Sequence, residues 1–371
     1  PDGALIDQSL TVPGQVLRAA ALRAAEMRSH DATAGTRTRL LVEFVPHNPL
    51  PLDCQVALAL PPGFSVSANS SVAVALGNSA TNISYSRVEY DRDGALDGDL
   101  ELTVHSERLV TVRRIGAAVA GREGVRVALF VDRVRNPQRS GATGTFQVRT
   151  LRADGTAIDE DLSVPGFMVH PGNFSGICPP ACLPPAVRPE SLEAGRLTNV
   201  SIAFVASNPI PSDALIEVLL PWRATVAAAS GVSPGSALDV LTPSAGRPGP
   251  VLDGALEFFV SQQAVRIRRD GSGRRIEAGE FVSFTVHGVK NQGVEGDSGE
   301  ARLTVEQADR VVIDRAIIPG LQIVPVQFSA VQIVKVPATV GKRSTMQLLI
   351  TAGGDIVPGS WIAVDFSGED A

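Results

Sequence analysis

The feature that most constrains this chain is that it repeats itself. The segment ADGTAIDEDLSVPG at residues 153–166 returns as PDGALIDQSLTVPG at 1–14 and, more loosely, as ADRVVIDRAIIPG at 308–320. Pro13, Pro165 and Pro319 mark the same point in each copy, 152 and 154 residues apart. A second block follows each proline: AGTRTRLLVEF (34–44), AGRLTNVSIAF (194–204) and VGKRSTMQLLI (340–350). A third reads HNPLPLDCQVALALPPGF (47–64), SNPIPSDALIEVLLPW (207–222) and GGDIVPGSWIAVDF (353–366). Two more blocks are shared by the first two copies. LDGDLELTV (96–104) matches LDGALEFFV (252–260), and VRNPQRSGATGTFQVRT (134–150) matches VKNQGVEGDSGEARLTV (289–305). Five blocks in a fixed order define a structural repeat. The chain parses as the last strand of a preceding repeat (1–12), two full repeats (13–164 and 165–318) and the N-terminal part of a further one (319–371).

The repeat decides how the one helix-like stretch is read. Residues 14–35 are rich in Ala, Leu, Arg and Glu, all strong helix formers. In the second copy the same slot carries Pro179, Pro180, Pro184, Pro185 and Pro189, which no continuous helix tolerates. In the third it is a β-branched alternating run ending at Pro337. A framework position does not exchange helix for strand between copies, so residues 17–28 are expected to be extended. Short apolar or alternating runs elsewhere, such as 38–44, 56–60, 125–131 and 200–204, are separated by Gly, Pro, Asn and Asp clusters. Eight or nine such strands per repeat predict an all-β chain of tandem antiparallel β-sandwich domains, about 152 residues each and larger than a minimal immunoglobulin domain.

Composition excludes several functions. A formal net charge of -6 argues against a nucleic-acid binder held by phosphate contacts. No apolar run reaches the roughly 18 residues that a membrane-spanning helix needs. Four N-x-S/T sequons, at Asn69, Asn82, Asn173 and Asn199, point to a glycosylated, extracellular chain. Cys178 and Cys182, four apart, fit a small local disulfide in that compartment, leaving Cys54 buried and free or paired elsewhere.

No catalytic constellation emerges. His30, His47, His105, His170 and His287 stand in no nucleophile or metal frame, and no enzyme activity, metal or cofactor is expected. Asp91, Asp93, Asp97 and Asp99 cluster in a turn but do not complete a calcium loop. The strongest charge feature is VRIRRDGSGRRIEAG at 265–279, read as an edge hairpin over an Asp-Gly-Ser-Gly turn. Its Arg266, Arg268, Arg269, Arg274 and Arg275 form a candidate surface for an acidic glycan or for the acidic face of a neighbouring unit, or a charged edge that blocks strand pairing. Trp222 and Trp361 are expected in a core or an interface.

The string NPQRSGATGTFQVRTLRADGTAIDEDLSVPG, with NPLP…LPPGF upstream, resembles the tandem units of very large extracellular proteins of green algae and other protists, including surface-coat and flagellar-hair (mastigoneme) glycoproteins. The resemblance implies Ig-like sandwiches strung end to end in a surface structure. Its partners would be further repeats of the same chain or identical neighbouring chains, with attached glycans. The expected function is a structural repeat segment; the alternative is an adhesin or lectin-like module using the arginine hairpin.

Overall fold

The computed structural model describes residues 17–67, 70–74, 99–116, 119–174, 185–221, 223–226, 238–239, 252–261, 263–336, 341–343, 345–353, 356, 359 and 361–364. Every regular element among them is a β-strand. The chain divides into two compact units. One comprises Pro1–Ala32, Thr36–Pro137 and Gly141–Val169, the other Thr33–Gly35, Gln138–Ser140 and His170–Ala371.

In the first unit the main strands are β1 (Arg23–Ser29), β2 (Arg37–Val45), β3 (Gln55–Ala59), β4 (Asp99–Ser106), β5 (Leu109–Ile115), β6 (Val127–Arg135), β7 (Phe146–Leu151) and β8 (Ala157–Val164). One sheet runs β1-β2-β6 with Ser65–Val66 at its edge, and the other runs β4-β5-β3-β7-β8. The second unit holds β9 (Ala186–Pro189), β10 (Leu197–Val205), β11 (Leu215–Leu219), β12 (Leu256–Val260), β13 (Ala264–Arg269), β14 (Phe281–Lys290), β15 (Ala301–Glu306) and β16 (Val312–Ile318). Its sheets run β9-β10-β14 with Thr225–Val226 at the edge, and β12-β13-β11-β15-β16. The two units have the same strand order in both sheets, and all these pairings are antiparallel. A further antiparallel hairpin joins β17 (Ala330–Val336) to β18 (Thr345–Thr351).

Each unit is a sandwich because strands such as β2, β3, β7 and β10 alternate. Leu40, Val42 and Phe44 of β2 face Val56, Leu58, Val110, Val112, Phe146 and Val148 of the opposite sheet in one buried cluster. Val200, Ile202 and Phe204 face Ile216, Val218, Val265, Ile267, Leu303 and Val305 in the other. Burying one such side chain contributes about 1.5–3 kcal/mol.

The alanine-rich stretch is extended, as the repeat requires. Ala20–Ala21 lies parallel to Asp159–Glu160 of β8, and β1 pairs antiparallel with β2. The only irregularity in that pairing is a bulge between Arg23 and Glu26, where Ala24 takes a φ of 47°. Met27 buries its side chain in the core while Arg23 and Ala24 stay outside. Burial of one strand face outweighs an alanine propensity worth less than about 0.7 kcal/mol per residue.

Repeated polar contacts fix the turns. Asp159, fully buried, accepts from the backbone N–H groups of His47 and Asn48 and from Asn48 Nδ2 at 2.7 Å. Asp314, also fully buried, accepts from the N–H of Asn208 and from its Nδ2, again at 2.7 Å. Burial pushes the Asp314 carboxyl up, and the Asn208 donors oppose it. Thr38 and Thr198 each accept a backbone N–H, from Asp31 and Ser191. Asn136 and Asn291 each donate Nδ2 to carbonyls of the same loop, Asp31 in one unit and Ser191 in the other. The Asn-Pro motifs of the sequence are therefore structural plugs.

Candidate functional site: clamped joints and an arginine-bearing strand

A repeat array transmits its geometry through its joints, and here each described joint is held to the unit that precedes it. After Val164-Pro165-Gly166, Met168 and Val169 pair with Ala142 and Gly141. After Ile318-Pro319-Gly320, Gln322 and Ile323 pair with Asp297 and Gly296. A hydroxyl closes each clamp. Phe167 donates its N–H to Thr143 Oγ1 at 3.1 Å and accepts the Thr143 N–H at 3.1 Å. Leu321 donates to Ser298 Oγ at 2.9 Å and accepts the Ser298 N–H at 2.9 Å. The second joint is tied further on, where Val324 exchanges backbone bonds with Leu192 and Ala194. Proline fixes φ at the joint, and the glycine after it is required by close approach. A Cβ at Gly166 would meet Thr143 Oγ1 and the Gly144 carbonyl, and one at Gly320 the Asp297 carboxylate and the Gly299 backbone. Val12–Gly14 lies outside the described residues.

The joint residue also closes the end of the sandwich. Phe167 stacks on Phe146, with ring centroids 6.0 Å apart, and meets the edge of Phe64 at 6.0 Å. Phe64 and Phe146 are themselves 5.2 Å apart. The equivalent positions of the second unit are Leu321, Ala301 and Ala224. Together with Pro319, Ile323, Val200 and Leu220 they line an apolar cavity of about 40 Å³.

The arginine stretch folds differently from the expected edge hairpin. β13 is an interior strand, flanked by β12 and β11, because Val265 and Ile267 alternate into the core. Residues 270–279 form a loop whose one bridge, at Ile276, is to Ile210. Arg269 follows Val265 and Ile267 inward and is 1% exposed, so it is not part of a surface patch. Its Nη1 donates to the Pro211 carbonyl at 2.8 Å, and its Nη2 to Asp253 Oδ1 at 2.8 Å and to the Arg274 carbonyl at 2.5 Å. Burial lowers its pKa, and the Asp253 charge opposes that shift.

Arg114 occupies the same place in the first unit, also buried, with Nη1 on the Pro51 carbonyl at 3.5 Å and Nη2 on the Val119 carbonyl at 2.6 Å. Beside it Cys54 is buried and free, and burial pushes its thiol up. Burial also lowers the Arg114 pKa.

The other arginines are exposed and already partnered. Arg266 pairs with Glu217 at 2.5 Å, Arg268 with Glu257 at 3.7 Å, Arg274 with Glu280 at 2.9 Å and Arg275 with Glu277 at 3.5 Å. The first two pairs lie on neighbouring strands of one sheet face and form a cross-strand charge ladder.

Of the expected glycosylation sites, Asn173 is exposed. Asn199 sits in β10 with Nδ2 on Glu190 at 3.0 Å and Oδ1 against His287 Nδ1 at 2.8 Å. Asn69, Asn82, Cys178, Cys182, Asp91, Asp93, Asp97 and Trp222 lie outside the described residues. Trp361, expected in a core or interface, is 84% exposed. Among the described residues no group of three or more His, Cys, Asp or Glu could hold a metal, and no helix is long and apolar enough to cross a membrane.

Sequence reasoning missed both buried arginines and the joint clamp. The arginines were readable, because Val110-Val112-Arg114 and Val265-Ile267-Arg269 continue a two-residue period. The clamp was half readable in Gly141, Gly144, Gly296 and Gly299, but nothing in the sequence says which segment a short loop will pair with.

No protein-family model matches the chain, and no curated protein matches it in sequence. Solved structures similar to it include the C-terminal domain of the Streptococcus pyogenes antigen I/II-family protein AspA, at 8% identity and a TM-score of 0.26, covering 81% of this chain and 98% of that one. A C-terminal fragment of the major pilin GBS80 of Streptococcus agalactiae gives 8% identity and 0.24, covering 88% and 90%. The collagen adhesin of S. aureus gives 8% and 0.21, covering 91% and 99%. Scores of this size assign neither family nor activity.

Proposed function

We propose that the chain is a non-enzymatic structural segment of an extracellular filament or cell-surface coat, of the flagellar-hair kind, whose repeats assemble end to end. The observation that supports this most is the clamped joint, built twice from the same parts. A proline-glycine step, a two-residue strand pairing and a Thr or Ser hydroxyl hold the outgoing chain against the unit it leaves. Such a joint leaves few conformations to the segment that leads into the next repeat, and identical joints generate a rod or a helix. Each unit supplies its own core, and a domain of about 150 residues can bury roughly 70% of its unfolded surface.

Glycans on the sequons, foremost on exposed Asn173, would project from such a surface. The arginine pairings weigh against the adhesive alternative, since a ligand carboxylate would have to displace Glu217, Glu257, Glu280 or Glu277. Electron microscopy of native material tests the proposal. A regular polymer labelled by antibodies to residues 165–318 is the expected result. A monodisperse soluble protein, or saturable glycan binding lost when Arg266 and Arg268 become Ala, would overturn it.

A further inference from the structure

The β17–β18 hairpin has the pairing of a sandwich strand pair, but among the described residues much of its apolar surface is uncovered. Ile333 pairs with Leu348 as Met27 pairs with Val42 and Val187 with Ile202. In each hairpin the two residues stand eight before and seven after a glycine in the left-handed region: Gly35 (φ 69°), Gly195 (φ 69°) and Gly341 (φ 74°). Strand pairing, register and the spacing to a left-handed glycine are therefore the same three times.

Burial is not. Met27 is 3% exposed, whereas Ile333 is 54%. Leu40 and Val200, five residues after their glycines, are 0% and 3% exposed, whereas Met346 is 46%. Val331 is uncovered on the same face. The outer edge of β18 is paired with no strand among the described residues. Exposed apolar strands with a free edge are templates for another strand.

The two complete units show what such an edge takes. β2 is paired on that side by β6 and β10 by β14, both antiparallel. Val42 lies opposite Leu129, and Ile202 opposite Phe284. Leu129 and Phe284 each stand seven residues before the asparagine that ends their strand, Asn136 and Asn291. Register is thus set by the same rule in both units.

We propose that the free edge of β18 is a binding site for one kind of partner: a β-strand of the β6/β14 sequence class. It adds antiparallel, with Leu348 opposite the residue seven before its closing asparagine. This rests on the architectural reading above and specifies the segment by which one such sheet is completed. Main-chain hydrogen bonds supply the affinity, and the Met346, Leu348 and Ile350 face supplies the register.

A synthetic peptide of residues 279–292 (GEFVSFTVHGVKNQ) added to the full chain tests this. Hydrogen exchange of the Thr345–Thr351 amides should slow at least tenfold, saturably, and a scrambled peptide should leave it unchanged. By analogy with Ala203 opposite Ser283, a chain carrying Leu349→Cys should form a disulfide with a peptide carrying Ser283→Cys. Peptides carrying Val282→Cys or Phe284→Cys should cross-link at least fivefold less. Absence of protection at saturating peptide, equal protection by the scrambled peptide, or preference for a shifted cysteine would overturn the proposal. None of these results bears on whether native material forms a polymer, so the two readings fail separately.

Discussion

The joint ends of the two units share a backbone and differ in what fills them. Thr143 and Ser298 make the same pair of bonds to the segment after the proline, and the strand pairs beside them have the same register. Behind that clamp the first unit packs Phe64, Phe146 and Phe167, while the second has Ala224, Ala301, Leu321 and a cavity of about 40 Å³. The path of the joint is thus set by hydrogen bonds and by glycines that allow close approach. Apolar filling is left to vary in stability from copy to copy.

If so, the largest asymmetry should appear when the aromatic cluster is removed. Phe146→Ala is expected to destabilise the first unit by about 3–5 kcal/mol, the usual cost of emptying a buried aromatic site. Hydrogen exchange of β7 amides in denaturant, compared with those of β15, would report it. A loss below about 1 kcal/mol would mean that the stacked rings add little to packing.

The buried aspartates should break the comparison the other way, by behaving alike. Asp159→Ala and Asp314→Ala each strand the donors of an Asn-Pro turn, and each should cost about 3 kcal/mol in its own unit. Denaturant midpoints of the two units, followed by exchange, check this. Sensitivity in only one unit would contradict the shared role.

The buried arginines sharpen the contrast at intermediate cost. Arg269→Met should destabilise the second unit by about 2 kcal/mol and Arg114→Met the first by a similar amount, since each removes a buried guanidinium that donates to two backbone carbonyls. Arg269 has a carboxylate partner in Asp253. Burial pushes Asp253 up, but the Arg274 N–H and the Arg269 guanidinium outweigh it and hold the carboxyl below its ordinary value. A carboxyl lowered in the folded state contributes stability above its unfolded pKa, about 3.9, and loses it as pH falls through the folded value. Stability measured against pH should therefore drop below about pH 4 in the second unit, with a shallower drop after Arg269→Met. An unchanged acid limb in that variant would remove Asp253 from the account.

The smallest effect expected is a gain. Leu321→Phe restores one ring of the first unit's cluster, and filling 40 Å³ at about 24 cal/mol per Å³ is worth up to ~1 kcal/mol. Thermal unfolding would detect it as a rise of a few degrees. A fall would show that the second unit's end is shaped for its smaller residues.

How much of this was legible follows from where the information sits. The extended path of residues 20–29 was readable because Pro179–Pro189 and the run before Pro337 occupy the same slot. Strand periodicity located both cores, and it also held the inward course of Arg269, which its charge obscured. The hairpin expected over 265–279 failed because its turn residues are real but local, whereas β13 is claimed by β12 and β11. The joint clamps were hidden for a different reason: a two-residue pairing carries no pattern, and only the paired hydroxyls of Thr143 and Ser298 mark it.

What most needs testing is whether position in the repeat, rather than alanine content, decides the backbone of residues 17–35. Nuclear magnetic resonance of the chain measures this directly, through backbone shifts of Arg23–Ser29 and cross-strand contacts between Met27 and Val42. Extended shifts together with a Met27–Val42 contact are the outcome the fold requires. Helical shifts across that stretch, or a Met27 side chain remote from Val42, would contradict it.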